Sequence, residues 1–246
     1  MTNVNDSFFD GRYKDVWRAL IPPDLTSKEV AFMVPFFNLQ QGSKVLDLMC
    51  GYGRHAIALA EQGIEVTAID NLGEYIEEIK QIAREKNLAI KAVRDDVVNF
   101  TTSDRFNLVI CMGNSLNFFD GTDTERILKN ISAHLEPGGR LLINSWSIAE
   151  IAMRMFKEES NGEIGGVKMH SKSTIQYQPN RIETITTMSV DGIEETKTAI
   201  DYVFTILEME TMLNNAGLNL EEVYSIPGRK KFSIGEPRAY FVAVKT

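Results

Sequence analysis

Gly51 and Gly53 bracket a short turn, Cys50-Gly51-Tyr52-Gly53, between two runs of different period. Before it, Val45-Leu46-Asp47-Leu48-Met49 is apolar except for one Asp and reads as a strand buried on both faces. After it, Ala56, Leu59 and Ala60 recur at helical spacing. Glycines let the backbone reverse sharply and let a ligand come close, because no Cβ stands in the way. Strand, glycine loop and helix in that order form a cradle for a nucleoside cofactor. Asp70 lies 19 residues beyond Gly51, at the end of the next apolar run, Glu65–Ile69. A carboxylate there can accept from both hydroxyls of a ribose. Its competing duty is to cap the following helix. Asn71-x-x-Glu74 offers a capping box of its own, which leaves Asp70 free.

The loop departs from a dinucleotide fingerprint. The third glycine of G-x-G-x-x-G would fall at Ala56, a slot that also accepts alanine. More telling are Arg54 beside the second glycine and Asp47 inside the strand. A carboxylate at Asp47 sits poorly with a pyrophosphate. It suits a ligand with an ammonium group, directly or through the loop backbone; its alternative role is an internal hydrogen bond to loop amides. No Tyr-x-x-x-Lys hydride-site pattern is present. The three histidines lack metal-ligand spacing, so no metal is expected.

The elements that must hold these residues follow the chain. Residues 1–21 place Phe8, Phe9, Tyr13 and Trp17 among polar residues, as an arm packed on the domain, a lid over a ligand, or both. After Pro22-Pro23, Thr26-x-x-Glu29 reads as a capping box opening a helix with Val30, Met33, Val34 and Phe37 on one face. Residues 1–40 together form the expected helical lid. Further strands are expected at 65–69, 89–94, 106–112 and 140–146, alternating with helices, which predicts a parallel sheet covered on both faces. The pattern then changes. Residues 166–177, 182–190 and 193–204 alternate with period two around Gln178-Pro179-Asn180-Arg181 and Asp191-Gly192, a three-stranded antiparallel meander. A helix opened by Thr205-x-x-Glu208 and strands at 218–226 and 238–245 complete the chain, the last one antiparallel. The expected fold is α/β: a doubly wound, mostly parallel seven-stranded, Rossmann-like sheet. Residues 1–158 and 206–246 form its core, and residues 159–205 an antiparallel insertion that caps the substrate.

Composition narrows the partners. The chain of 246 residues is 43% hydrophobic, enough for one sizeable core. A net charge of -8 without a basic stripe argues against nucleic acid; Arg229-Lys230-Lys231 is too short to count. Cys50 and Cys111, in expected buried β segments, suit neither a disulfide framework nor a zinc site and fit a reducing cytoplasm. No apolar run reaches membrane-spanning length, and the first residues lack a signal-peptide pattern. The expectation is a cytoplasmic protein with no membrane partner. Oligomeric state is not legible.

Five segments together resemble class I S-adenosylmethionine-dependent methyltransferases of small-molecule type, over nearly the whole chain from about residue 26. VLDLMCGYGRHAIALA is similar to their first motif and VTAIDNL to the acidic second. RDDVVNF, FNLVICMGNSLNFF and LEPGGRLLINSW are similar to the third, fourth and fifth. The resemblance implies S-adenosyl-L-methionine as cofactor. Gly51 and Gly53 would pass close to its methionyl part, with Asp47 supporting the loop. Asp70 would hold the ribose, and Asn71 and Leu72 would lie along the adenine. Asp96, with Asp95 as competitor, would accept from the adenine amino group, and Val97 would donate an amide. Met112 to Ser115 would floor the site, with Asn114 and Ser115 toward the substrate. Tyr13 and Arg54 are candidate partners of the cofactor carboxylate. His170, on the insertion, is a candidate base; its alternative is an exposed strand histidine. His55 and His134 read as structural.

The acceptor expected by analogy is a small metabolite with N or O as target, because Gly113-Asn114-Ser115-Leu116 lacks the Asn/Asp-Pro-Pro-Tyr signature of nucleobase and amide enzymes. The competing readings are a non-catalytic cofactor-binding regulatory module and a nicotinamide-dependent oxidoreductase.

Overall fold

The computed structural model describes residues 3–246, so the first two residues of the expected arm lie outside the described residues. The main sheet opens with β1 (Lys44–Leu48), β2 (Glu65–Asp70), β3 (Ile90–Arg94), β4 (Phe106–Cys111) and β5 (Leu135–Ser145). It closes with β10 (Leu218–Ile226), the two-residue β11 (Lys230–Lys231) and β12 (Ala239–Lys245). The order is β11-β10-β12-β5-β4-β1-β2-β3. Strands β1 to β5 run parallel, and β12 enters antiparallel between β5 and β10. The expected seven strands are present; the eighth, β11, is a short hairpin return onto β10.

Both faces of the sheet are covered because its central strands are apolar throughout; Leu46, Leu48, Leu108 and Ile110 have no exposed surface. One face receives Val30 and Met33 of α2 (Leu25–Phe36), Leu59 of α3 (Arg54–Ala60) and Ile79 of α4 (Gly73–Glu85). The other receives Ile127 and Ile131 of α5 (Gly121–His134) and Leu213 of α7 (Ile206–Asn215). Strand β1 lies where the order reverses, with β2 and β3 on one side and β4 and β5 on the other. Such switch points open a crevice at the carboxyl ends of the strands.

The insertion is a separate antiparallel sheet of four strands: β6 (Glu159–Ile164), β7 (Val167–Tyr177), β8 (Asn180–Val190) and β9 (Ile193–Tyr202). The expected meander lacked β6. Its sequence, ESNGEI, holds one apolar residue and lies on the exposed edge, so no period-two signal marks it. Its hairpin signal was Gly165-Gly166, both with positive φ. A short helix, α6 (Ala149–Met155), links β5 to this sheet and was also unforeseen.

Two expected capping boxes do not form. Helix α2 starts after Asp24 without a side-chain cap, and α4 starts after Leu72. In both cases tertiary contacts claim the side chain. Glu29 is buried beneath the cavity, and Asn71 turns to Asp6 of the arm. The Thr205–Glu208 box does form, and Leu207, an apolar residue of that helix, is exposed. Cys50 belongs to the loop after β1 rather than to a strand, and both cysteines are free and buried.

The arm packs across core and insertion. Asn5 donates to the carbonyls of Phe118 and Ile200 at 3.0 and 2.9 Å and accepts from the Ile200 amide at 2.9 Å. Lys197 of β9 pairs with Asp10. Helix α1 (Tyr13–Leu20) is tied to α4 by Arg18–Glu78 and by Lys14–Glu74 at 2.7 Å.

Candidate functional site

A cavity of about 850 Å³ opens at the carboxyl ends of β1 to β4. Asp47 and Met49 reach it from β1 and its loop, Asp70 from β2, Arg94 from β3 and Met112 after β4. Phe9 and Trp17 of the arm also line it, beside Phe118 of the turn after β4.

The loop after β1 shows why two glycines stand there. Met49, Gly51 and Gly53 all have positive φ, at 55°, 55° and 77°. Holding the non-glycine Met49 in that region costs about 1 kcal/mol or more, which the surrounding packing must offset. The two glycines serve different ends. A Cβ on Gly51 would meet nothing within 4 Å and would enter the cavity. A Cβ on Gly53 would meet Ile79 at 2.6 Å. Gly53 therefore lets α4 approach the loop and does not line the cavity, contrary to the ligand contact expected of it.

Asp70 is buried, and each of its carboxylate oxygens takes one backbone amide: Gly51 at 2.8 Å and Leu72 at 3.0 Å. Burial raises its pKa against these amides. It is thus not free of local bonds, as the expected Asn71 cap would have left it. Each oxygen keeps a second lone pair for a ligand.

Asp47 is 1% exposed, and its Oδ2 has no hydrogen-bond partner. Burial pushes its carboxyl up to about 7, while Arg54 pulls it down. An orphaned buried carboxylate oxygen on a cavity wall fits an ammonium group. Together with the open Cβ position of Gly51, it gives the cavity the features that the amino-acid end of S-adenosylmethionine requires.

The other expected residues divide clearly. Arg54, Asn71, Leu72, Asp96 with its neighbour Asp95, Val97, Met112 and Ser115 all line the cavity. Asp96 also caps its own turn, accepting from the Val98 amide at 3.0 Å. Tyr13 does not line it. Its ring packs 4.2 Å from Phe8, among the apolar residues that join the arm to the insertion, and burial with nearby Asp201 raises its hydroxyl to about 12. Asn114 is fully buried and works as a local hub. It donates to Ser147 and Asp201, both at 2.8 Å, and accepts from the Trp146 amide at 2.9 Å. His170 pairs with Asn161 and Glu159 on the insertion, at 2.8 and 3.3 Å, and does not reach the cavity. It is therefore not placed as a base for chemistry there.

Gly113, within the expected floor, lines the cavity, and Trp17 packs 3.3 Å from where a Cβ on it would lie. Other residues on or under this site were not singled out for it in the sequence, Phe118 among those that line the cavity. Asp201 of β9 reaches Asn114 and Ser147, and burial raises its carboxyl to about 6. Glu29 holds Arg54 at 2.6 Å and His55 at 2.9 Å. Positive-φ signals at Gly113-Asn114 were readable as a tight turn; the long-range pairings were not. Among the described residues no group of three His, Cys, Asp or Glu side chains is placed to hold a metal ion, and no helix is long and apolar enough to cross a membrane.

Residues 45–139 match the methyltransferase domain family. The fold is that of solved S-adenosylmethionine-dependent methyltransferases. A solved S-adenosylmethionine-dependent methyltransferase from Clostridium acetobutylicum superposes with a TM-score of 0.81 at 20% identity, covering 95% of this chain and 96% of that one. The amino pentose methyltransferase CalS10 from Micromonospora echinaspora, solved with S-adenosylmethionine bound, gives 0.74 at 20% identity over 96% and 98%. In sequence, glycine N-methyltransferase of Rattus norvegicus is 28% identical over 157 residues, 57% of this chain and 54% of that protein. The matched stretch thus spans about half the length of that relative. The matched residues run from β1 to the turn inside β5. They include Asp47, Gly51, Asp70, Asp96 and Met112 of the cavity, and exclude the arm and the insertion.

Proposed function

We propose that this chain transfers a methyl group from S-adenosylmethionine to N or O of a small-molecule metabolite. The observation that carries the proposal is the division of one cavity into two walls. One wall joins the open position at Gly51, the unpaired Asp47 oxygen and the Asp70 carboxylate. The other is aromatic, formed by Phe9, Trp17 and Phe118. The first has groups for an amino acid and a ribose, and the second is a surface for a second molecule.

On this reading Asp70 accepts from the ribose hydroxyls, and Asn71 and Leu72 lie along the adenine. Asp96 accepts from its amino group and the Val97 amide donates. Asp47 faces the ammonium and Arg54 the carboxylate. When bound, the cofactor supplies a methyl group already activated on a sulfonium. The protein's remaining work is alignment and exclusion of water. The arm and the insertion perform it, since Asn5 and Lys197 bind them to each other over the cavity. A small acceptor is supported by the relatives named for glycine and an amino pentose as acceptors. An acidic chain with no basic stripe supports the same choice over nucleic acid.

The test is incubation of the purified protein with S-adenosylmethionine and a panel of small amines and hydroxylated metabolites, read by mass spectrometry. A methylated product, with S-adenosylhomocysteine formed in equal amount, supports the proposal. Tight cofactor binding with no transfer across the panel favours a non-catalytic cofactor-binding module.

A further inference from the structure

Glu29 has a sequence neighbourhood that suggests a helix cap, yet it sits 7% exposed at the meeting point of three elements. Its Oε2 accepts from Arg54 Nη1 at 2.6 Å and from His55 Nε2 at 2.9 Å. Its Oε1 accepts from the Tyr240 hydroxyl of β12 at 3.2 Å. Arg54 Nη1 also donates to Thr26 Oγ1 of α2 at 3.0 Å, which uses both hydrogens of that nitrogen. A guanidinium has five N–H donors. Among the described residues the other three, on Nε and Nη2, have no partner, although the Arg54 side chain is only 11% exposed. Arg54 lines the cavity, and its charge acts on Asp47.

The charges in this cluster are settled by their contacts. Burial alone would raise the Glu29 carboxyl, but His55 and Arg54 outweigh it and hold it down at about 2. Burial lowers His55, so near neutral pH it is an uncharged ring giving its Nε2 proton to Glu29. Glu29 is therefore a fixed anion, braced by the ring and by Tyr240, with Arg54 as its cationic partner. A free arginine loses rotamer entropy when ordered. Here much of that loss precedes ligand binding, and the fork is preset with three donors to spare.

We propose that Glu29, braced by His55 and Tyr240, is a positioning residue that presents the Arg54 guanidinium to the carboxylate of the amino-acid end of a bound S-adenosyl ligand, opposite the Asp47 site for its ammonium. The proposal rests on the cofactor reading above. It adds that recognition of the amino-acid end depends on a buried carboxylate that touches no ligand. Because Thr26 and Glu29 belong to α2, it also makes that helix part of the cofactor site.

The experiment is calorimetric titration of wild type, Glu29→Gln and Arg54→Lys with two ligands, S-adenosylhomocysteine and 5′-methylthioadenosine. The second lacks the amino-acid end and reports the nucleoside site alone, including whether each variant is folded. The expected result is a Kd for S-adenosylhomocysteine about tenfold higher in both variants, about 1.4 kcal/mol, with methylthioadenosine changed by less than about twofold. Equal weakening of both ligands in Glu29→Gln would show a merely structural role and overturn the proposal. Unchanged affinity for both would overturn it as well. Wild-type protein that binds neither ligand would overturn the cofactor reading and this proposal with it.

Discussion

Asp47 and Asp70 stand on adjacent strands buried on both faces, with Gly51 in the loop after the first, whereas Phe9, Trp17 and Phe118 line the same cavity from segments far apart in the chain. On the first wall, position follows from local structure. The loop turns at Gly51, and its amide returns to Asp70 of the neighbouring strand. On the second wall, position depends on how the arm docks. That docking rests on buried Asn5, on Phe8 and Val16 packed against Phe118 and the insertion, and on partly exposed ion pairs such as Lys197–Asp10 and Arg18–Glu78. The difference teaches that one wall is set by local structure within the core, while the other is assembled by contacts between distant segments.

Five substitutions would break or sharpen that contrast, from the largest expected effect to the smallest. Asp70→Ala removes the proposed ribose partner and the anchor of the Gly51 amide together. Affinity for S-adenosylhomocysteine should fall about 100-fold, roughly 2.7 kcal/mol, as read by calorimetry. A loss below about threefold would mean the first wall is not the cofactor wall.

The two glycines should then separate. Gly53→Ala forces a Cβ against Ile79 at 2.6 Å with φ at 77°, and should cost about 2–3 kcal/mol of folding stability. Gly51→Ala points into open space. It should cost about 1 kcal/mol for its positive φ and weaken cofactor binding more than Gly53→Ala does. Thermal unfolding and ligand titration on the same samples would show whether the order is reversed.

Asp47 gives the first wall a pH signature. Its carboxyl is raised to about 7 in the folded protein, so the folded state holds a proton that the unfolded chain releases near pH 4. Stability of the unliganded protein therefore falls as pH rises between about 4 and 7. Cofactor affinity moves the other way, because an ammonium prefers the ionised carboxylate. Binding should be about tenfold weaker at pH 6 than at pH 8, and Asp47→Asn should flatten the profile. A profile unchanged in the variant would remove Asp47 from the ammonium site.

Trp17→Ala tests the second wall. Loss of the indole against Gly113 should lower kcat/KM for the acceptor about fivefold, near 1 kcal/mol, with cofactor affinity almost unaltered. Equal loss of both would mean that the arm serves the cofactor too.

What could be read from the sequence follows the same division. The strand–glycine loop–helix unit, Asp70 and the switch in pattern before the insertion are carried by local spacing, and the sheet order agrees with them. Glu29 and Asn71 were misread because each fits a capping box, a local pattern, and tertiary contacts prevailed over it. Tyr240 reaches Glu29 from the far end of the chain, and Asp201 reaches Asn114 from the insertion. No periodicity encodes such pairs. Strand β6 was missed because an exposed edge strand has no apolar face to reveal it.

The central claim is that the wall built on β1 and β2 receives S-adenosylmethionine. The most direct measurement is calorimetric titration of the intact protein with S-adenosylmethionine, S-adenosylhomocysteine and NAD. The account predicts micromolar, one-to-one binding of the first two and none of the third. Binding of NAD, or no binding of any of them by a folded sample, would contradict it.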